Sequence, residues 1–204
     1  MNALRSVIPA AARVVIRVAR RLRAGSQPEN KEDLRHRYFS TATQYYASGR
    51  AAYFAQAIPT AGNILHHAVE MYLKGYLVQT HDEGQRRRLG HNLRKIWRRC
   101  KQKTNDAALG EFDPIIRDLD AFEELRYPEK ILGWAVHFEL TRAPGGITGT
   151  AAQKVPRFQL ALNEVDGLVA AMFQHANLNP QAFAMTIGAE GRNALTRHNP
   201  SGIW

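Results

Sequence analysis

A chain of 204 residues with 45% hydrophobic content fits a single globular domain with a substantial core. Its one cysteine, Cys100, excludes an internal disulfide framework and a cysteine-built metal centre, and suits a reducing cytoplasm. Twenty-eight Lys and Arg against 18 Asp and Glu leave a formal charge of +10, which predicts attraction to anions such as nucleic acid, nucleotides or acidic lipid headgroups.

The chain divides by composition into a basic amphipathic segment with a linker (1–27), a helical bundle (28–178) and a weakly ordered tail (179–204). Within the first part, "AAARVVIRVARRLR" (10–23) sets Arg13, Arg17 and Arg20 on one helical face and Ala11, Val15, Val18 and Leu22 on the other, with no acid before Glu29. Such a segment suits an anionic membrane surface, nucleic acid or a targeting role. No stretch reaches the roughly 18 to 20 apolar residues that a spanning helix needs. We expect a cytoplasmic protein, with membrane association only through this segment.

Pro28 and the small polar residues around it read as a linker ending in an N-cap at Asn30. A first helix is predicted over 31–57, with Leu34, Tyr38, Thr41, Tyr45, Ala52 and Ala55 inward and a stop at Pro59. A second runs over 60–79, burying Ala61, Leu65, Ala68, Tyr72 and Tyr76 and turning Asn63, His66, His67, Glu70 and Lys74 outward. "THDEGQRRRLG" reads as a polar connection, and "HNLRKIWRRCKQK" as a third helix carrying Leu93, Ile96, Trp97 and Cys100. Phe112, Ile115, Ile116, Leu119 and Phe122 mark a fourth helix, ended by Pro128. Trp134, Val136, Phe138 and Leu140 alternate briefly, predicting a short extended piece or ordered loop. A fifth helix follows over 155–176 with Phe158, Ala161, Leu162, Val165, Val169, Met172 and Phe173 inward. The expected fold is therefore all-α: an up-and-down bundle of about five helices with an irregular loop before the last one. Neither a phosphate-binding loop nor a dinucleotide fingerprint is present.

Three features carry candidate chemistry. Arg126 lies four residues after Phe122 and seven after Leu119, so helical phase aims it along the apolar stripe, where Glu123 at i−3 is its nearest partner. Glu70 and Lys74 are spaced i, i+4 and read as a surface ion pair. His66 and His67 point about 100° apart on a helix, so no shared metal ion is expected, and no cofactor either. Nine cations and no acid stand between Arg86 and Lys103, Arg94 and Arg98 among them, and a polyanion would relieve their mutual repulsion.

Taken in order, "NILHHAVEMYLKGYL" (63–77), "LGHNLRKIW" (89–97) and "LDAFEELRYPE" (119–129) resemble the HEPN superfamily of prokaryotic helical domains, over residues 31–177. The carrying motifs are Ala68, Glu70, Leu73 and Lys74 on the second helix, Gly90 to Leu93 at the start of the third, and Arg126 to Pro128. The resemblance implies an up-and-down bundle, homodimerisation, binding of RNA or a nucleotide, and partnership with nucleotidyltransferase-like proteins in toxin–antitoxin or defence systems. It sets Glu70, Lys74, His91 and Arg126 around a cleft, joined on the basic helix by Arg94 and Arg98. Members that cut RNA carry an Arg and a His four to six residues apart. Here the first histidine after Arg126 is His137, so a binding module is the expected activity; a metal-independent endoribonuclease using His91 and Arg126, or a membrane-peripheral structural protein, are the alternatives.

Overall fold

Asn30 opens the described chain: its side chain accepts the amide hydrogen of Glu32 at 3.0 Å and caps helix α1, Lys31–Phe54. The computed structural model describes residues 30–126, 135–142 and 157–204. The basic segment and linker expected over 1–27 lie outside them, as do Tyr127, Pro128 and Trp134. Among the described residues the fold is mostly helical, with α2 Thr60–Leu77, α3 Glu83–Arg88, α4 Leu93–Thr104, α5 Asp113–Ala121, α6 Leu162–Ala176, α7 Pro180–Ala184 and α8 Ala189–Thr196. Two 3-10 turns, Ala107–Phe112 and Phe122–Arg126, flank α5. No described helix is long and apolar enough to cross a membrane.

α2 is the central element, packed by α1, α4, α5, α6 and the second 3-10 turn. Its expected inner stripe is buried, from Ala61 through Leu65, Ala68 and Tyr72 to Tyr76. Its supposed outer face is largely buried too: His66 and Glu70 have no exposed surface and Lys74 only 9%. Neighbours pack on most of this helix and leave Asn63, Ile64, His67 and Met71 partly open, so Glu70 and Lys74 form an interior ion pair rather than the expected surface one. Gly62 lets the second 3-10 turn approach, since a methyl group there would overlap the Phe122 ring. Gly62→Ala is expected to cost about 1–3 kcal/mol through overpacking, measured as a lower urea midpoint. An unchanged midpoint would show that this contact is loose.

Two further expectations are corrected. The buried face of α1 is Phe39, Ala42, Tyr46, Ala47 and Arg50, while Thr41 and Tyr45 are exposed. Aromatic and small residues are spread around this helix, so its sequence period did not fix the phase. Residues 157–161 form a strand instead of the first turn of the last long helix. β1, Ala135–Glu139, pairs in parallel with β2, Arg157–Ala161, placing Val136 opposite Phe158 and Phe138 opposite Leu160. The extended piece expected at Val136 and Phe138 is thus one strand of a pair. Phe158 and Leu160 alternate at strand period, yet Phe158 and Leu162 also fit helical spacing, which hid the boundary.

The tail expected to be weakly ordered over 179–204 contains α7 and α8, with Phe183 and Leu195 buried. Asn179 caps α7 through the amide of Gln181 at 3.1 Å. What holds the end of the chain is polar as well as apolar. The fully buried Arg50 donates from Nε to the Ala194 carbonyl at 2.7 Å, from Nη2 to the Arg197 carbonyl and from Nη1 to Asp166. Tyr46 donates its hydroxyl to the same Asp166 oxygen at 2.5 Å, and Asn199 donates to the Tyr46 hydroxyl at 3.0 Å. Trp204 closes the arrangement, its ring 5.3 Å from Phe173.

Candidate functional site

Glu70 gathers the polar residues of the second helix and of the turn before α4. Its Oε1 accepts from Lys74 Nζ at 2.7 Å, one helical turn on. His91 reaches it from across the fold, with Nδ1 3.1 Å from Oε1 and 3.0 Å from Oε2. Gly90 makes that reach possible: its φ of +63° is left-handed and turns the chain from α3 toward the Asn92 cap of α4. Two hydrogen bonds then fix the start of α4, from Lys95 N to Asn92 and from Leu93 N to Asp120, both 2.7 Å. Of the residues expected to meet, Glu70, Lys74 and His91 do. Only His91 among them presents itself to solvent, with 60% of its side chain exposed.

Although burial pushes the Glu70 carboxyl up, contacts with His67, Lys74 and His91 outweigh it and hold it at about 2. A carboxyl lowered by folding stabilises the fold fully above its unfolded value of about 4.3, and loses that stabilisation as pH falls toward the folded value. In metal-free protein we expect Glu70 to account for about 3 kcal/mol lost between about pH 5 and pH 2. Urea midpoints across that range check it, with Glu70→Gln expected to be less stable near neutral pH and flatter toward acid. Parallel profiles for the two proteins would contradict it.

Arg126 joins this cluster indirectly. Its Nη1 donates to Glu123 Oε1 at 2.6 Å, the i−3 partner anticipated from spacing, and its side chain is 39% exposed. It therefore stands at the edge of the fold rather than along the interior stripe, because the α5 helix tightens into a 3-10 turn at Phe122 and changes the phase. Glu123 Oε2 faces His66 Nε2 at 3.6 Å, and His66 Nε2 in turn lies 3.9 Å from Glu70 Oε2. His67 Nδ1 is 3.4 Å from the same Glu70 oxygen. His66 and His67, expected to diverge, thus both bring a ring nitrogen toward Glu70, one through Nε2 and the other through Nδ1. Burial lowers the pKa of His66, against the opposing pull of the Leu119 carbonyl and the nearby carboxylates.

Arg94 and Arg98 lie elsewhere, on the exposed face of α4. Both line a surface groove of about 330 Å³ with Trp97, Lys101, Asp113 and Arg117, and both line a neighbouring one of about 500 Å³ with Leu89, Asn92 and Lys95. The other cations of the run are largely engaged by the fold. Arg86 donates to the His81 carbonyl, Lys95 to the Arg88 carbonyl at 2.9 Å and Lys103 to the Tyr76 carbonyl at 2.7 Å. Lys101 binds Asp113 at 2.6 Å, and Trp97 Nε1 donates to that same carboxylate at 2.7 Å. Among the described residues no side chain pairs with Arg94 or Arg98.

Sequence reasoning missed the roles of His66, Arg50 and Asp166, and the contact that Glu123 makes with His66. The i, i+4 spacing of His66 and Glu70 was a usable signal; Glu123 meets His66, and Arg50 meets Asp166, only through long-range packing. Comparison of the chain with protein-family models, with curated proteins and with solved structures finds no match.

Proposed function

We propose that this chain is a HEPN-like RNA-binding module, acting as a homodimer in the cytoplasm, with the outer face of α4 as its RNA surface. The observation that carries the reading is the pair of unpartnered arginines, Arg94 and Arg98, shared by two adjoining grooves whose other cations are Lys95, Lys101 and Arg117. The one carboxylate there, Asp113, is neutralised by Lys101, so an approaching phosphate meets net positive charge. Guanidinium groups suit this role, since their planar donors match phosphate oxygens two at a time. His91 stands one residue before the Asn92 that lines the second groove, and its ring is held by the buried Glu70. The order of the Glu70–Lys74, Gly90–Leu93 and Arg126 motifs along the chain supports the HEPN likeness. Fluorescence anisotropy with a single-stranded RNA tests the proposal. We expect saturable binding that weakens steeply as salt rises, because each neutralised phosphate releases counterion. No binding at low salt, or binding indifferent to salt, would overturn it.

The His91–Glu70 contact supports one further reading, a metal-independent endoribonuclease. An exposed imidazole oriented by a buried carboxylate is equipped to take the proton of a 2′-hydroxyl, while Arg126 would stabilise charge on the phosphate. RNA cleavage that persists in chelator and disappears in His91→Ala would favour it; absence of cleavage leaves the binding module.

A further inference from the structure

His66 presents an arrangement that the protein's own hydrogen bonds leave incomplete. Its Nδ1 lies 2.9 Å from the Leu119 carbonyl. A carbonyl only accepts, so Nδ1 carries the proton, and in the Nδ1–H tautomer the ring offers a bare lone pair at Nε2. That lone pair is fully buried and faces two carboxylate oxygens, Glu123 Oε2 at 3.6 Å and Glu70 Oε2 at 3.9 Å. Among the described residues nothing donates a hydrogen bond to His66 Nε2 or Glu123 Oε2, although both atoms are buried. Acceptors turned toward one another repel unless something positive lies between them.

We propose that His66 Nε2, His67 Nδ1 and the Oε2 atoms of Glu70 and Glu123 form a binding site for a divalent transition-metal ion of the zinc class. The ligand atoms of His66, His67 and Glu70 already lie within 4.8 Å of one another. Tetrahedral zinc, with bonds of about 2.0 to 2.2 Å, holds its donors roughly 3.4 Å apart. His67–Glu70 and His66–Glu70, at 3.4 and 3.9 Å, need only small side-chain adjustments to meet that, while Glu123, 3.6 Å from His66 but outside the mutual 4.8 Å set, turns further to complete the shell. Imidazole nitrogens mixed with carboxylates suit zinc, cobalt or nickel better than magnesium or calcium, which prefer all-oxygen shells.

The surrounding groups are arranged as supports for such ligands. The Leu119 carbonyl fixes the His66 tautomer, the usual way a metal-binding imidazole is oriented. Lys74 holds Glu70 by Oε1 and Arg126 holds Glu123 by Oε1, leaving Glu123 Oε2 turned inward without a donor, while Glu70 Oε2 also lies 3.0 Å from His91 Nδ1, a contact the ion would share or displace. His67 and Glu123 are 28% and 29% exposed, which gives the ion a path in from solvent. The ion ties α2 to the 3-10 turn Phe122–Arg126. The site shares Glu70 with His91, but none of its four ligands lies on α4, so metal binding and RNA binding by α4 can fail separately.

Full-length protein stripped with chelator and titrated with Co²⁺ tests the site. We expect the intense visible bands of four-coordinate cobalt, bleached by one equivalent of Zn²⁺. His67→Ala and Glu123→Gln alter partly exposed groups and should keep the circular dichroism of the parent while weakening Zn²⁺ binding tenfold or more. Absence of the bands, or Zn²⁺ affinity unchanged in both variants, would overturn the proposal and leave a water between His66 and Glu123.

Discussion

Arg50→Met should cost about 3–5 kcal/mol of stability, the loss expected when one partner of a buried ion pair is removed and the other remains. Arg50 is fully buried and joins three parts of the fold: α1, which carries it; Asp166 on α6; and the carbonyls of Ala194 and Arg197 at the end of α8. Its guanidinium also lies 5.7 Å from the Phe54 ring centre, and Arg197 packs on the same ring at 4.2 Å. Without the guanidinium, Asp166 keeps only Tyr46 as a donor, and two carbonyls lose theirs. For a chain of this size the melting temperature should fall on the order of 10 °C. Adding Asp166→Leu should recover part of the loss, because it removes the stranded charge. A double variant less stable than Arg50→Met alone would contradict this reading of the network.

The second large effect concerns RNA. Arg94→Ala combined with Arg98→Ala should weaken RNA binding about tenfold or more at physiological salt, with no loss of helicity, since neither side chain is paired within the fold. Replacing Lys101 instead would confuse the result, because it also neutralises Asp113. Arg192→Ala on α8 is the control: that arginine is exposed and donates to the Ile187 carbonyl, away from α4 in sequence and element. Its affinity should match the parent. Equal weakening in the control and the double variant would assign the binding to net charge alone and remove α4 from the account.

How much of this was legible in the sequence depended on whether local spacing or distant packing decided each feature. Helix α4 was plain, because Leu93, Ile96, Trp97 and Cys100 are its apolar residues and all four are buried. The stripe of α2 was equally plain, but its burial all round was not: that depends on how many elements pack against it. Glu70, Lys74 and His91 meet, but two of the three are interior, so the expected open cleft around them does not follow. Arg126 met the Glu123 anticipated at i−3, yet near the surface, because a 3-10 turn replaces the last α turn. The C-terminal helices escaped notice for a physical reason. Five and eight residues long, they carry too few apolar positions for a period, and Arg50, over 140 positions away in sequence, holds their carbonyls.

The salt dependence of RNA binding bears most directly on the central claim that the exposed face of α4 is an RNA surface. For single-stranded RNA each phosphate contact contributes about 0.7 to the slope of log affinity against log salt. If Arg94 and Arg98 each hold a phosphate, the double alanine variant should lose about 1.4 from that slope relative to the parent. A parent and a variant with the same slope would contradict the account, whatever their absolute affinities.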